Sequence, residues 1–342
     1  MSHPDLVVDL ADSRFDDIVD SWNDLALASG GSFFQTAAWA RAWWLHLASK
    51  APTKVALWMR ADDSAEAVSA LSQTRQPILK TGGPAVNAWV LTGSGAGAGD
   101  HLGWLGESSD SVLDWMVSDT SGPVILTNLA RTEGLEERGF VQTSVDPTLT
   151  VDMTASDDWF QGSNDFRKKL RYYARQLDKL GVTLEMVDRV TTEVFDALLS
   201  LHAVRSESLG WSSTFDSARR QFHLELVARC PPEWGPRACV ATRDGEIVGV
   251  LYGFSFGDTF SYYQTGWSYD YVKQSLGSVM VAHAMEHAAG AGAKVFDFLR
   301  GDDEYKRRFG ATVANDSSWL LPRGTTGRLV AARTRVAQRV RG

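Results

Sequence analysis

One order of segments occurs twice along the 342-residue chain, and it limits the possible folds more than any figure of composition does. Pro123–Leu129 reads as a buried strand, Glu133–Arg138 as a short helix ended by Gly139, and Val141–Met153 as one or two further strands. The second half repeats it: Lys294–Leu299 is a buried strand, Asp302–Arg308 a short helix ended by Gly310, and Thr312–Leu321 a strand pair. A weak internal repeat of this length predicts two fused copies of one mixed α/β domain. With the boundary near Thr154–Gly162, the expected division is 1–155, 156–322 and a basic tail, 323–342. The length suits two domains of roughly 100–200 residues, and 44% hydrophobic residues can give each a core.

Composition removes several function classes. A net charge of -8 argues against a uniformly basic nucleic-acid-binding surface, which needs clustered Lys and Arg. The two cysteines, Cys230 and Cys239, form no C-x-x-C pair, so neither a disulfide framework nor a zinc or other metal site is indicated. The acidic, alternating N-terminus is unlike a signal peptide, and no apolar run is long enough to span a bilayer. The expectation is a cytoplasmic protein.

In the first half, Phe15, Ile18, Trp22 and Leu25 follow helical spacing, and Trp39, Trp43, Trp44 and Leu47 mark a second helix. Val55–Arg60 and Ala67–Gln73 read as a hairpin around the polar turn Ala61–Ser64. Gly93–Gly106 lacks the spacing of a phosphate-binding motif and reads as a loop. Between the copies, Phe166, Leu170, Tyr173 and Leu177 space as the apolar face of a helix that Asn164 or Asp165 can cap and Gly181 can end. Its other face concentrates Arg167, Lys168, Lys169, Arg171 and Arg175, either a solvated face or a holder of anionic groups.

The most informative stretch is Arg237–Gly310. Arg237–Thr242 and Glu246–Gly257 read as strands around Arg243-Asp244-Gly245, whose Asp-Gly pair favours a tight hairpin. Phe260–Gly266 is a third strand, and Tyr269–Ser278 a turn into a helix running to about Gly290. Strand, glycine-containing loop and helix in that order leave free backbone N–H groups at a helix start, an anion site.

Here the chain resembles a known family. Gln274-Ser275-Leu276-Gly277 is similar to the start of the pyrophosphate-binding Q/R-x-x-G-x-G/A loop of Gcn5-related N-acetyltransferases (GNAT), departing at Val279, where the family has Gly or Ala. The run Phe296–Gly310 is similar to the late motif of the CelD-type branch found in polysaccharide and envelope biosynthesis, and Phe33–Trp44 and Phe166–Leu177 also resemble that branch. The resemblance implies two tandem GNAT domains, the chemistry in the second, and acetyl-CoA or another acyl-CoA as donor. An acceptor amine or hydroxyl would attack the thioester directly. Gln274, Ser275, Leu276, Gly277 and Ser278 would bind the pyrophosphate. Tyr305 would protonate the leaving thiolate, or else pack as a core tyrosine. Asp297, alternating with Phe296 and Phe298, would accept the acceptor's proton, or pair with Arg300 or Lys306. Arg300, Lys306, His202 and Arg205 are candidate substrate contacts.

The implied acceptor is a small molecule or a lipid-linked glycan precursor. Two other readings stay open: an aminoacyl-tRNA-dependent ligase of FemAB type, with tRNA as partner, and a noncatalytic binding module. The tail Arg323–Gly342 carries six arginines and no acidic residue, so it reads either as a solvated terminus or as an anchor to an anionic membrane surface.

Overall fold

The computed structural model describes residues 3–77, 85–95, 99–156, 158–208, 215–324 and 327, with residues 205, 206 and 208 described by their backbone alone. The chain divides into two compact units, 1–146 with 315–342, and 147–314. The first contains β1 (Leu6–Val8), α1 (Phe15–Ala28), α2 (Ala37–His46), β2 (Thr53–Met59), β3 (Ala65–Pro77), β4 (Ala85–Leu91), β5 (Leu105–Gly106), α3 (Ser109–Asp119) and β6 (Val124–Leu129). The chain crosses into the second along β7 (Val141–Asp152). There follow α4 (Asn164–Lys179), β8 (Val182–Val187), α5 (Thr192–Ser208), α6 (Ser217–Arg229), β9 (Gly235–Arg243), β10 (Glu246–Phe256), β11 (Thr259–Trp267), α7 (Leu276–Gly290), β12 (Val295–Arg300), α8 (Glu304–Arg307) and β13 (Thr312–Leu321).

The expected mixed α/β architecture is present, and each unit repeats one strand order. The first runs β1-β2-β3-β4-β6-β13 with β5 beside β3, and the second β8-β9-β10-β11-β12-β7. In each, one pair is parallel: Trp89 opposite Val124 in β4 and β6, Thr259 opposite Val295 in β11 and β12. The fifth residue of the second strand takes a left-handed backbone in both, Asn128 at φ 56° and Leu299 at φ 59°. Neither is glycine, so the coincidence marks a bend that the architecture imposes.

The last strands are exchanged. Residues 148–152 of β7, which follow the first copy, pair antiparallel with β12, whereas residues 317–321 of β13, which follow the second, pair with β6. The units therefore meet the chain at Asp146/Pro147 and Ala314/Asn315, where the sequence suggested 155/156 and 322/323. Pattern alone does not reveal which sheet a strand joins. Val141–Asp152 is one strand where one or two were expected, and Thr312–Leu321 is one strand where a pair was expected.

In the second unit, α4 and α7 pack over β8 to β11, burying Phe166, Leu170 and Leu177 of α4 against Leu276, Val279 and Met280 of α7. Burying such side chains stabilises by ~1.5–3 kcal/mol each, which outweighs the exposed charges on the outer face of α4. Its cap is Ser163, whose hydroxyl accepts from the Phe166 N–H at 3.2 Å, where Asn164 or Asp165 was expected. Gly181 ends it at φ 76°, as anticipated. Asp244 and Gly245 turn the β9–β10 hairpin with φ of 51° and 82°. In the first unit Arg323 donates to the carbonyls of Val117 and Thr120 at the end of α3, where a cation suits the helix dipole. The other five tail arginines lie outside the described residues.

Candidate functional site

The second unit opens between its two parallel strands. Their register holds only from Thr259–Val295 to Ser261–Asp297, although β11 continues to Trp267 and β12 to Arg300. Each strand has a reason to leave. The register of β10 on β11 shifts at Tyr252/Gly253, and a Cβ on Gly253 would lie 2.4 Å from the Ser261 carbonyl, so only glycine fits this bulge. On β12, the buried Asp297 accepts the Leu299 N–H at 2.8 Å, and pairing with β7 slips between Asp297 and Arg300. The result is a gap at the carboxyl ends of parallel strands, the usual place for ligands in such sheets.

The loop after β11 ends at the start of α7. A 3-10 turn, Tyr269–Gln274, leads to Ser275 in the left-handed region, φ 51°, and α7 begins at Leu276. Ser275 caps α7 with its carbonyl, which accepts from Ser278 N at 2.9 Å and Val279 N at 3.1 Å. The amide of Ser278 is thus already used within the turn. Those of Leu276 and Gly277 are the first of the helix, which an α-helix leaves without internal partners. The buried Oε1 of Gln274 has no hydrogen-bond partner among the described residues. Gly277 has a different constraint from the one expected: a Cβ there would sit 2.7 Å from Nε1 of Trp267, so its smallness admits the indole at the end of β11.

The residues after β12 divide into two groups. Tyr305, 36% exposed on α8, stands edge-on to Phe298 at 6.2 Å, beside the strand that bears Asp297. Lys306 is buried and donates to the carbonyls of Arg300 at 2.7 Å and Gly301 at 2.9 Å, with Asp303 at 3.3 Å. Its ammonium has three donors, so these bonds remove it from the candidate substrate contacts and make it the clamp of the turn. Arg300 is exposed and contributes its carbonyl to that clamp.

On the other side of the sheet α5 lies close to β11, since a Cβ on Gly266 would be 2.6 Å from the His202 N. The His202 ring meets Phe215 edge-on at 5.5 Å. The side chain of Arg205 lies outside the described residues. The sequence reading passed over α6, whose His223 is buried with Nδ1 3.4 Å from the Tyr252 hydroxyl at the β10 bulge. Rings of Phe195, Phe222 and Tyr263 surround it, and burial pushes its pKa down to about 3. Burial likewise raises the Tyr252 hydroxyl well above its ordinary value and the Cys230 and Cys239 thiols to about 12. Helical spacing of apolar residues is weak over Ser217–Arg229, where Arg219, Arg220 and Glu225 break the pattern, so His223 gave no signal.

Of the basic face of α4, Arg167 is bonded to Asp158 and to the Phe160 carbonyl, and Lys168 lies 3.5 Å from Asp165. Lys169, Arg171 and Arg175 are exposed. No helix among the described residues is long and apolar enough to cross a membrane.

Residues 164–307, which hold the diverging strands and the α7 loop, match the family described as an acetyltransferase (GNAT) domain. No curated protein matches the sequence. Among solved structures the fold is similar to that of FemX, at 12% identity and TM-score 0.65 over 88% of this chain and 95% of that one. It is also similar to the C-terminal domain of a putative lysylphosphatidylglycerol synthetase from Agrobacterium fabrum, at 12% identity and TM-score 0.57 over 92% and 95%. L-PGS from Bacillus licheniformis gives 10% identity and TM-score 0.56 over 94% and 96%. At such identities these similarities show the fold alone. The family match therefore concerns residues 164–307, an acetyltransferase (GNAT) domain, and the chain as a whole shares its fold with FemX.

Proposed function

We propose that the second unit transfers an acyl group, acetyl in the simplest case, from acyl-CoA to an amine or hydroxyl of a small-molecule or envelope-glycan precursor. The observation that carries this reading is the parking of a gap between β11 and β12 next to the open start of α7. Amides of Leu276 and Gly277 supply donors for a pyrophosphate, with Gln274 beside them in the loop. The thioester then lies in the gap, where the acceptor's nitrogen or oxygen attacks its carbonyl carbon and the carbon–sulfur bond breaks. The acceptor's proton passes to the Asp297 carboxylate, directly or through water, and Tyr305 donates its phenolic proton to the departing thiolate. The acceptor approaches from the α5 side, where His202 stands.

Titration calorimetry with acetyl-CoA tests the donor, and turnover of Tyr305→Phe tests the acid. Saturable binding, with a rate lowered about 10²-fold in a variant that melts like the parent, supports the proposal. A folded protein with no affinity for any acyl-CoA removes it. A second reading, an aminoacyl-tRNA-dependent ligase, draws support from the fold shared with FemX and the lysylphosphatidylglycerol synthetase domain. It predicts that aminoacyl-tRNA binds and acyl-CoA does not. Under either reading, five tail arginines beyond Arg323 give a cytoplasmic enzyme a means to meet anionic lipid, tested by salt-sensitive vesicle sedimentation with and without residues 323–342.

A further inference from the structure

A cavity of about 330 Å³ lies in the second unit between α4, α7 and residues 158–160. None of its lining residues belongs to β11, to β12 or to residues 274–278, which bound the gap described above. The space exists because α4 and α7 present small side chains there, Ala174 and Ala282. Its floor is apolar, with Phe160, Leu170 and Val279 buried, and Trp159 forms a wall edge-on to Phe160 at 5.6 Å. The volume falls at the low end of the ~300–1,000 Å³ typical of small-molecule sites, enough for one amino-acid-sized molecule.

The rim is charged, and its charges differ in availability. The Arg167 guanidinium is bonded to Asp158 and the Phe160 carbonyl and lies over the Phe160 ring at 4.6 Å, so it is a structural pillar. Arg171, one turn further along α4, is exposed and lines the same cavity; Glu286 does so from α7. Neither makes a hydrogen bond or a close ion pair among the described residues, Arg171 acting only through its field on Asp158. His283, also on the rim, is held below its ordinary pKa chiefly by burial, so it adds no fixed cation near neutral pH. An apolar pocket is thus faced by one available cation on one helix and one available anion on the other. An anionic ligand alone would be repelled by Glu286, and a cationic one by Arg171. A molecule bearing both charges satisfies both.

We propose that this cavity binds an amphoteric small molecule of the class of free α-amino acids with a large apolar side chain. Its carboxylate faces Arg171, its ammonium faces Glu286, and its side chain rests on Phe160, Leu170 and Val279. The site is independent of the acyl-transfer reading and stands or falls separately.

Titration calorimetry on the full chain with L-phenylalanine and L-leucine tests it, with acetyl-CoA titrated into the same preparation as a separate readout. Saturable binding of at least one amino acid is expected. Hydrocinnamate and phenethylamine, each lacking one charge, should bind about tenfold more weakly or worse. Arg171→Ala and Glu286→Gln, both on exposed side chains, should each weaken the amino acid by about tenfold and leave the melting temperature unchanged. Ala282→Phe should fill the cavity and abolish binding, with melting checked to confirm the fold. No saturable binding of either amino acid to folded protein would overturn the proposal. So would an affinity indifferent to both rim substitutions, or hydrocinnamate binding as tightly as L-phenylalanine.

Discussion

At Gly277 the structure changes what a substitution measures. The family resemblance assigns this glycine to close approach of a pyrophosphate, yet the nearest atom to an added Cβ belongs to Trp267, 2.7 Å away. Gly277→Val is therefore expected to lower the melting temperature and shift the indole emission before any ligand is added. An unperturbed melt would return the residue to ligand approach alone. His223 gives a pH prediction. Its folded pKa of about 3 lies below that of a free imidazole, near 6.5, so the unfolded chain binds one more proton in the interval. The associated stability is complete above ~6.5 and falls by about 1.4 kcal/mol per pH unit as pH drops toward the folded value. His223→Phe, which suits the surrounding rings, should flatten that acid limb in melting curves; identical limbs would show that other groups set it. Tyr305 and Asp297 are candidates that a motif suggests. The clamp formed by Lys306 left no sign in the sequence, because its partners are carbonyls that every residue carries.

Elements were legible where local chemistry dictates them. The β9–β10 hairpin follows from Asp244-Gly245, and the end of α4 from Gly181, since both need positive φ. The start of α4 was misplaced by one or two residues because Ser163, Asn164 and Asp165 can all cap, and only the geometry selects Ser163. Ser163→Ala should cost ~0.5–2 kcal/mol, seen as a lower denaturation midpoint with unchanged slope, whereas Asn164→Ala should cost little. Equal effects at the two positions would deny the cap. The bulge at Tyr252/Gly253 and the bend at Leu299 left no trace in the pattern, yet these two departures open the gap. A Gly253→Ala variant is expected to lose acyl-CoA affinity with its fold weakened, because the added carbon meets a backbone carbonyl that cannot turn aside.

At the scale of the molecule, the repeated order of segments pointed to two copies, and the chain divides into two units that each repeat one strand order. Their strand exchange was hidden because a strand that completes its own sheet and one that completes another have the same alternation of side chains. A fragment of residues 156–322, the natural choice from sequence, lacks the β7 residues that pair with β12 and carries β13 away from its partner β6. It should be insoluble or self-associating, as an uncovered strand edge invites, while the intact chain stays monodisperse on gel filtration.

The exchange also bears on how the protein is made. The ribosome delivers β7 before β12, so the second unit finds its closing strand waiting when it folds. The first unit is synthesised first and yet must hold the edge of β6 open until residues 317–321 leave the ribosome, after the whole second unit. While the second unit is being made the older one is unfinished, and a chaperone that shields bare strand edges has its task there. A premature stop just before residue 317 would accordingly damage the first unit, although its codon lies beyond those of every strand of the second.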